Sequence, residues 1–259
     1  MIGLDFPLKP EWIHTVLCLW KPNQPIVELI DSSLSQAMPE LSGEKTRRNS
    51  LSILLRMFVP MQSGNSRSRS TTQQNVWAVY ASLFSPNTLA PAFLARIIAE
   101  SEVAQAISRY INKRYSPGST ITSSEIRVFA AGKFGERKVV VNAASAFLTT
   151  LQAFGILTPG EGRSEHKINT ALAVSPEIFP LLVWSWWQQN PMPQIDPETF
   201  LDLPAYQWLV REDFASYWQS LQPDLWNISA RMQSQLITLK FVDPFEFEKR
   251  IIEIAQEKR

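Results

Sequence analysis

Apolar residues recur three and four positions apart through most of this chain, and most prolines of its first ninety residues stand between the recurrences. That punctuation selects short, packed helices. Segments 11–20, 24–37, 43–59, 72–84, 87–99 and 102–115 each carry such a stripe, as Leu51, Leu54, Leu55 and Phe58 do. Pro22, Pro25, Pro39, Pro60 and Pro86 fall between them, where a missing amide breaks no helical hydrogen bond. The stretch 62–74, QSGNSRSRSTTQQ, has no large apolar side chain and reads as a loop. The expected class is all-α, mainly helical. With 259 residues, 45% of them apolar and 19% charged, the chain can bury a core without covalent staples, and disorder is excluded. Cys18 is the single cysteine, so an intramolecular disulfide and a cysteine-based zinc site are both excluded, and a reducing, cytoplasmic setting fits. The longest apolar window, Phe179 to Trp187, is nine residues, far short of the roughly 20 a membrane span needs. The N-terminus, with Asp5, Pro7 and Pro10, lacks the cationic-then-apolar order of a signal peptide, so no membrane partner is expected.

From Ser116 the pattern becomes more specific. SPGS at 116–119 is a turn, and Thr122-Ser-Ser-Glu125 has the form of a capping box opening a short helix that runs to about Ala131. Gly132 and Gly135 bracket a second turn. Residues 136–154 then place Val140, Ala144, Phe147, Leu148 and Leu151 on one helical face, with Gly155 positioned as the C-cap. Ile156-Leu157 and residues 168–174 flank a polar tip, PGEGRSEHK, and read as a β-hairpin. Helix, turn, helix, hairpin is the order of a winged helix-turn-helix, whose second helix enters the major groove. An ordinary αα-hairpin followed by an unrelated β-hairpin is the competing reading.

Beyond Ser175-Pro176-Glu177, which has the residues of a helix start, the chain is Trp-rich: Trp184, Trp186, Trp187, Trp208, Trp218 and Trp226. Helices are expected near 205–221, 225–241 and 244–257, making 176–259 an all-helical extension. Most of these tryptophans are expected in the core, with at least one of the 184–187 cluster on a surface. The expected organisation is an N-terminal basic helical domain over 1–115, a winged-helix-like segment over 116–175 and an acidic helical region over 176–259.

The formal net charge of +1 conceals two halves of opposite sign. Residues 1–160 hold 16 Lys+Arg against 10 Asp+Glu, a net of +6, whereas 161–259 hold 9 against 14, a net of −5. Between Lys45 and Ala99 there is no carboxylate at all. Such a block suits a polyanion, or the acidic half itself. Lys45, Arg47 and Arg48 fall at the start of a helix, where cations oppose the dipole unless an anion such as a phosphate sits there. Arg137 and Lys138 repeat the arrangement at the second helix of the turn. On that helix Lys138, Asn142, Ser145 and Thr149 are spaced i, i+4, i+7 and i+11, a polar stripe that either reads base edges or is simply solvated. Arg67 and Arg69 in the loop suit a groove or a phosphate backbone, and Arg163 and Lys167 sit at the hairpin tip, where a wing touches DNA.

Ingredients for an enzyme are scarce. His14 and His166 are the only histidines, and no Gly-rich phosphate loop, nucleophile elbow, zinc-protease motif or paired-acid motif is present. His14 and Cys18 are one helical turn apart, which could pair a thiol with a base, but their apolar neighbours predict a buried structural cysteine beside a satisfied histidine. His166, in the hairpin tip, is expected to be solvated. No catalytic residue, metal or cofactor is expected.

The segment 89–157, with PAFLARIIAESEVAQAISRYINKRY, SSEIRVFAAGKF and NAASAFLTTLQAFGIL, resembles the BrxA family of BREX phage-defence systems, and GEKTRRNSLSILLRMF upstream is similar to that family's Arg-containing helix. The resemblance spans about residues 12–175. It implies a non-enzymatic, double-stranded-DNA-binding component of a bacterial defence system, mainly helical and partly similar to the antitermination factor NusB. On this resemblance Lys45, Arg47 and Arg48 match the family's basic helix, and Lys133, Arg137 and Lys138 its later helix-turn-helix-like part. Other defence-system proteins would be partners, and the Trp-rich extension, which the family pattern does not contain, would serve partner binding or self-association. The competing class is a helical scaffold that binds proteins and no nucleic acid.

Overall fold

The computed structural model describes residues 4–62, 69–190, 192–221, 224–231 and 234–257. Five helices form the N-terminal part: α1 (Pro10–Leu19), α2 (Ile26–Gln36), α3 (Glu44–Phe58), α4 (Val76–Leu83) and α5 (Pro86–Ala99). Their ends are local chemistry. The Asn75 side chain accepts from the Trp77 amide at the start of α4, and the Ser85 hydroxyl accepts from Thr88 at the start of α5, with Pro86 in the first turn, where no amide is needed. Helix α1 packs against α2, α4 and α5, while α3 lies on α2 and α1.

Helix α6 (Glu102–Arg114) leads into a second unit made of β1 (Thr120–Thr122), α7 (Ser123–Phe134), α8 (Lys138–Ala153), β2 (Leu157–Pro159) and β3 (Glu165–Ile168). Both strands of the hairpin are antiparallel, and β1 adds to its other edge in the order β1-β3-β2. Strand β1 was not anticipated, although Thr-Ile-Thr between a turn and a cap is a β-branched alternation, with Ile121 buried between exposed Thr120 and half-buried Thr122. At the end of α8 Gly155 has φ 74°, and the amides of Ile156 and Gly155 bond back to the carbonyls of Leu151 and Gln152. This is the Schellman closure that glycine permits.

The C-terminal region departs from the all-helical expectation. It contains α9 (Phe179–Trp187), β4 (Gln194–Ile195), α10 (Pro197–Leu201), a 3₁₀ turn (Pro204–Tyr206), α11 (Phe214–Ser220), β5 (Trp226–Arg231), β6 (Ser234–Leu239) and α12 (Pro244–Glu257). The strands form an antiparallel sheet in the order β4-β6-β5, where a helix over 225–241 was expected. Apolar residues 225, 226, 228, 237 and 239 satisfy either period. Pairing decides between them, because Trp226 lies opposite Leu239 and Ile228 opposite Ile237, and this puts Trp226, Ile237 and Leu239 into the core while Asn227 and Ser229 face outward. The predicted helix over 205–221 is reduced to α11 and the 3₁₀ turn. Helix α9 starts at Phe179 and not at Pro176, since residues 175–178 form a turn in which the Ile178 amide bonds to the Ser175 carbonyl.

One cluster of buried side chains runs from Leu4 to Ala255, so the three expected segments share a core. Helix α12 packs on α4 and α9, and the 3₁₀ turn packs on α5 and α6. The Trp208 indole N–H donates to the Ser108 hydroxyl of α6 at 3.0 Å. Five of the six C-terminal tryptophans are buried, and Trp186 is the one at the boundary, set edge to face against Phe200. The molecule is therefore mainly helical with two small three-stranded sheets, and among the described residues no helix is long and apolar enough to cross a membrane.

Candidate nucleic-acid interface

Helices α7 and α8 pack on each other and on α6, and the small sheet closes beside α8. Three polar contacts hold this arrangement. The Thr122 hydroxyl accepts from the Glu125 amide at 3.1 Å, as the capping box predicts, but the Glu125 carboxylate does not turn back to the cap. It accepts instead from the hydroxyls of Tyr110 and Tyr115, tying α7 to α6. Arg114 stacks over the Tyr110 ring.

His166 is the second departure from expectation: it is buried in β3, not solvated at a tip. Gln152 of α8 donates its side-chain N–H to Nδ1 at 3.0 Å, which leaves Nε2 to carry the proton and donate to the Ser123 hydroxyl at 2.7 Å. Burial, with Arg127 nearby, holds the imidazole below its ordinary pKa, so it is a neutral bridge joining β3 to α7 and α8. The hairpin tip was misread because register places residue 166 opposite both Ile121 and Pro159, inside the sheet rather than beyond it.

On α8 the two faces separate cleanly. Val140, Ala144, Phe147 and Leu151 are buried, whereas Lys138, Asn142 and Thr149 are exposed and Ser145 is half-buried. Helix α8 begins with Arg137 as an N-cap that makes no side-chain cap bond and has no acid in its first turn, so its leading amides face exposed Arg137 and Lys138. Arg137 also donates to the Phe134 carbonyl at 3.3 Å, across the turn at Gly135, whose φ is 89°. Lys133, at the end of α7, is exposed with its ammonium 5.8 Å from the Phe134 ring centre. Arg127 was missed at the sequence level. It is exposed on α7, and its Nε donates to the Ser145 hydroxyl of α8 at 3.0 Å, so a cation sits directly beside the polar stripe. Its signal is the i, i+3, i+4 spacing of positions 124, 127 and 128, which share the exposed face of α7. Val128 and Val139 are exposed on the same pair of helices.

Arg163 and Lys167 are exposed on the hairpin. The tip between them is tightly folded over Glu165, whose carboxylate accepts from the Gly162 amide at 2.9 Å, and a Cβ at Gly160 would come within 2.7 Å of the Glu165 Cβ. Only glycine fits there.

The other basic residues lie elsewhere. Lys45 is exposed at the start of α3, but Arg48 pairs with Glu44 at 2.8 Å within the same helix, and Arg47 turns inward to donate to the Leu34 carbonyl of α2 at 3.2 Å. Glu44 is thus the anion that the helix start called for. Arg69 is exposed, with its carbonyl accepting from Ile26, and Arg67 lies outside the described residues. Helix α3 packs on α1 and α2, so the structure groups Arg127, Lys133, Arg137, Lys138 and Asn142 on α7 and α8 and does not bring the α3 cations to them.

The chain is similar in fold to SspB. The SspB crystal structure matches with a TM-score of 0.62 at 12% identity, covering 98% of this chain and 86% of that one. The magnesium-ion-bound SspB crystal structure matches at 13% identity with the same TM-score and coverage. No protein-family model and no curated protein matches the chain. Among the described residues of this chain no three His, Cys, Asp or Glu side chains come together as ligands for a metal ion.

His14 and Cys18 form no activated pair. The His14 Nε2–H donates to the Phe84 carbonyl at 3.0 Å, and Nδ1 faces the Cys18 sulfur at 3.7 Å. Cys18 is exposed rather than buried, yet the protein around its sulfur raises the thiol above its ordinary pKa, which disfavours the thiolate a nucleophile needs.

Proposed function

We propose that this chain is a non-enzymatic, double-stranded-DNA-binding accessory protein, with residues 102–168 acting as a winged helix-turn-helix and α8 as its groove-facing helix. The observation that carries this reading is the polar stripe of exposed Lys138, Asn142 and Thr149 with half-buried Ser145, opposite a buried apolar face and flanked by Arg127, Lys133 and Arg137. Cations at the uncapped start of α8 suit phosphate oxygens, and Asn142 suits a base edge. Arg163 and Lys167 on the hairpin suit the adjacent backbone. The resemblance to the BrxA family supports a place in a BREX-type defence system, in the cytoplasm, alongside other defence proteins. Exposed Val128 and Val139 favour a second reading, a helical adaptor that docks a protein on this same face.

Duplex binding measured against salt separates the two. About four to six phosphate contacts give a log–log slope near −4 to −5. Replacing Lys138 with Glu should weaken binding to all sequences alike, while Asn142→Ala should narrow the difference between sequences. Binding that is absent at low salt, or flat from low to physiological salt, overturns the DNA reading.

A further inference from the structure

A cavity of about 690 Å³ opens between the end of α3, the start of α4 and helices α5, α9 and α12. It has the size of a small-ligand cleft, and none of its lining residues belongs to α7, α8 or their sheet. Its wall is aromatic: Phe58 and Trp77 meet edge to face at 5.2 Å, and Trp77 and Trp184 at 5.9 Å. Phe245 also lines it and is 57% exposed, a large ring that lies outside the core.

Polar groups converge on the same space. Arg96 is nearly buried, with Nε donating to the Met57 carbonyl at 3.3 Å and Nη2 paired with Glu100 at 2.8 Å. Arg56, at the rim, is exposed and donates only to the Ser52 carbonyl of its own helix among the described residues. Trp184 is 8% exposed, and its indole N–H, a donor only, is buried without any acceptor among the described residues. That N–H shows no surface to the cavity, so what Trp184 offers a ligand is its ring and not its donor. Glu248 completes the lining. Its carboxyl accepts from the Val76 amide and burial pushes it up to about 7, so near neutrality it carries a proton for much of the time and repels an anion little.

We propose that this cavity binds a mononucleotide, its base against the Trp77, Trp184 and Phe245 rings and its phosphate against Arg56 and Arg96. A flat heteroaromatic ring matches the aromatic wall, and the guanidinium fork matches phosphate geometry. A purely apolar ligand would leave Arg56, Arg96 and Glu248 facing hydrocarbon, and a bare inorganic anion would leave the rings uncovered. Free nucleotide and the terminal nucleotide of a DNA strand present the same chemistry. The proposal does not depend on DNA binding by α8.

The test is calorimetric titration of the full chain with adenosine monophosphate, adenosine and inorganic phosphate. Adenosine monophosphate should bind at least about tenfold more tightly than either fragment, because base and phosphate contacts act together. Phe245→Ala removes an exposed ring and Arg56→Gln an exposed charge, both with little risk to folding. Each should weaken binding about fivefold or more. Absence of binding at millimolar nucleotide overturns the proposal, as does affinity for inorganic phosphate equal to that for the nucleotide, or full affinity in both Arg56→Gln and Phe245→Ala. Competition by a phosphorylated single-stranded oligonucleotide assigns the site to strand ends, and its failure assigns the site to free nucleotide. Lys138→Glu should leave this binding intact.

Discussion

The Tyr80 hydroxyl donates a hydrogen bond to the Ile251 carbonyl at 3.3 Å, joining the fourth helix to the last inside the core. Around that bond α12 packs on α4, so the acidic C-terminal region is built into the same interior as the basic N-terminal one. The opposite charges of the two halves are a surface property and do not mark independent folding units.

Deletion of residues 192–259 should therefore abolish folding rather than release a competent DNA-binding fragment. The deletion removes Trp218, Trp226, Phe247 and Ile251, each almost fully buried. Their lost burial is of the same order as the roughly 5–15 kcal/mol that holds a typical domain together. A cooperative thermal transition in the truncated chain would show that the shared core is dispensable.

The two faces of α8 should respond in opposite ways. Phe147 is fully buried, and Phe147→Ala should cost about 3–5 kcal/mol in denaturant unfolding. Asn142 is exposed, and Asn142→Ala should change stability by less than about 0.5 kcal/mol while lowering duplex affinity. The reverse order of stability effects would mean that the helical phase is wrong.

His166 should make the unit of α7, α8 and the small sheet sensitive to mild acid. Its folded pKa lies below the unfolded value near 6.5, so its contribution is complete above that pH and is lost as pH falls through the depressed folded value. Protonation would also turn Nδ1 into a donor facing the Gln152 N–H. Unfolding curves taken from pH 7.5 to 5.5 should show a decline that His166→Asn reduces; equal slopes for the two proteins would exclude His166 as its source.

Glu248 should act in the opposite direction on the pH scale. Its carboxyl is raised from 4.5 to about 7, so the stability tied to the bound proton is present below pH 4.5 and lost as pH rises through 7. Glu248→Gln should then stabilise the protein at pH 8 by about 1–2 kcal/mol, a value reduced for the group's partial exposure, and have little effect at pH 4.5. A destabilised variant at pH 8 would show that the ionised carboxylate is the form the fold needs at the start of α4.

The hairpin tip gives a steric prediction. Gly160→Ala should distort the turn, since the new methyl would overlap the Glu165 side chain at 2.7 Å, and thermal unfolding should fall by several degrees. An unchanged melting temperature would mean that the tip yields at no cost.

By itself the sequence determined the features that local chemistry controls. Helix starts at Asn75, Ser85 and Thr122, the glycine closure after α8, and the buried and exposed faces of α8 all follow from spacing and capping over a few residues. Tertiary structure decided whatever local patterns left degenerate. Residues 225–239 suit a helix or two strands equally, and became strands because cross-strand pairing buries Trp226 and Ile237 on one face. His166 is buried because β1 pairs with β3, a contact made by residues far apart in the chain. Arg47, read as a free cation, turns to a carbonyl of α2, while Arg127, read as nothing, stands beside the α8 stripe. Charge is written in the sequence, but whether a charge faces solvent, a carboxylate or a carbonyl depends on partners that only long-range packing brings within reach.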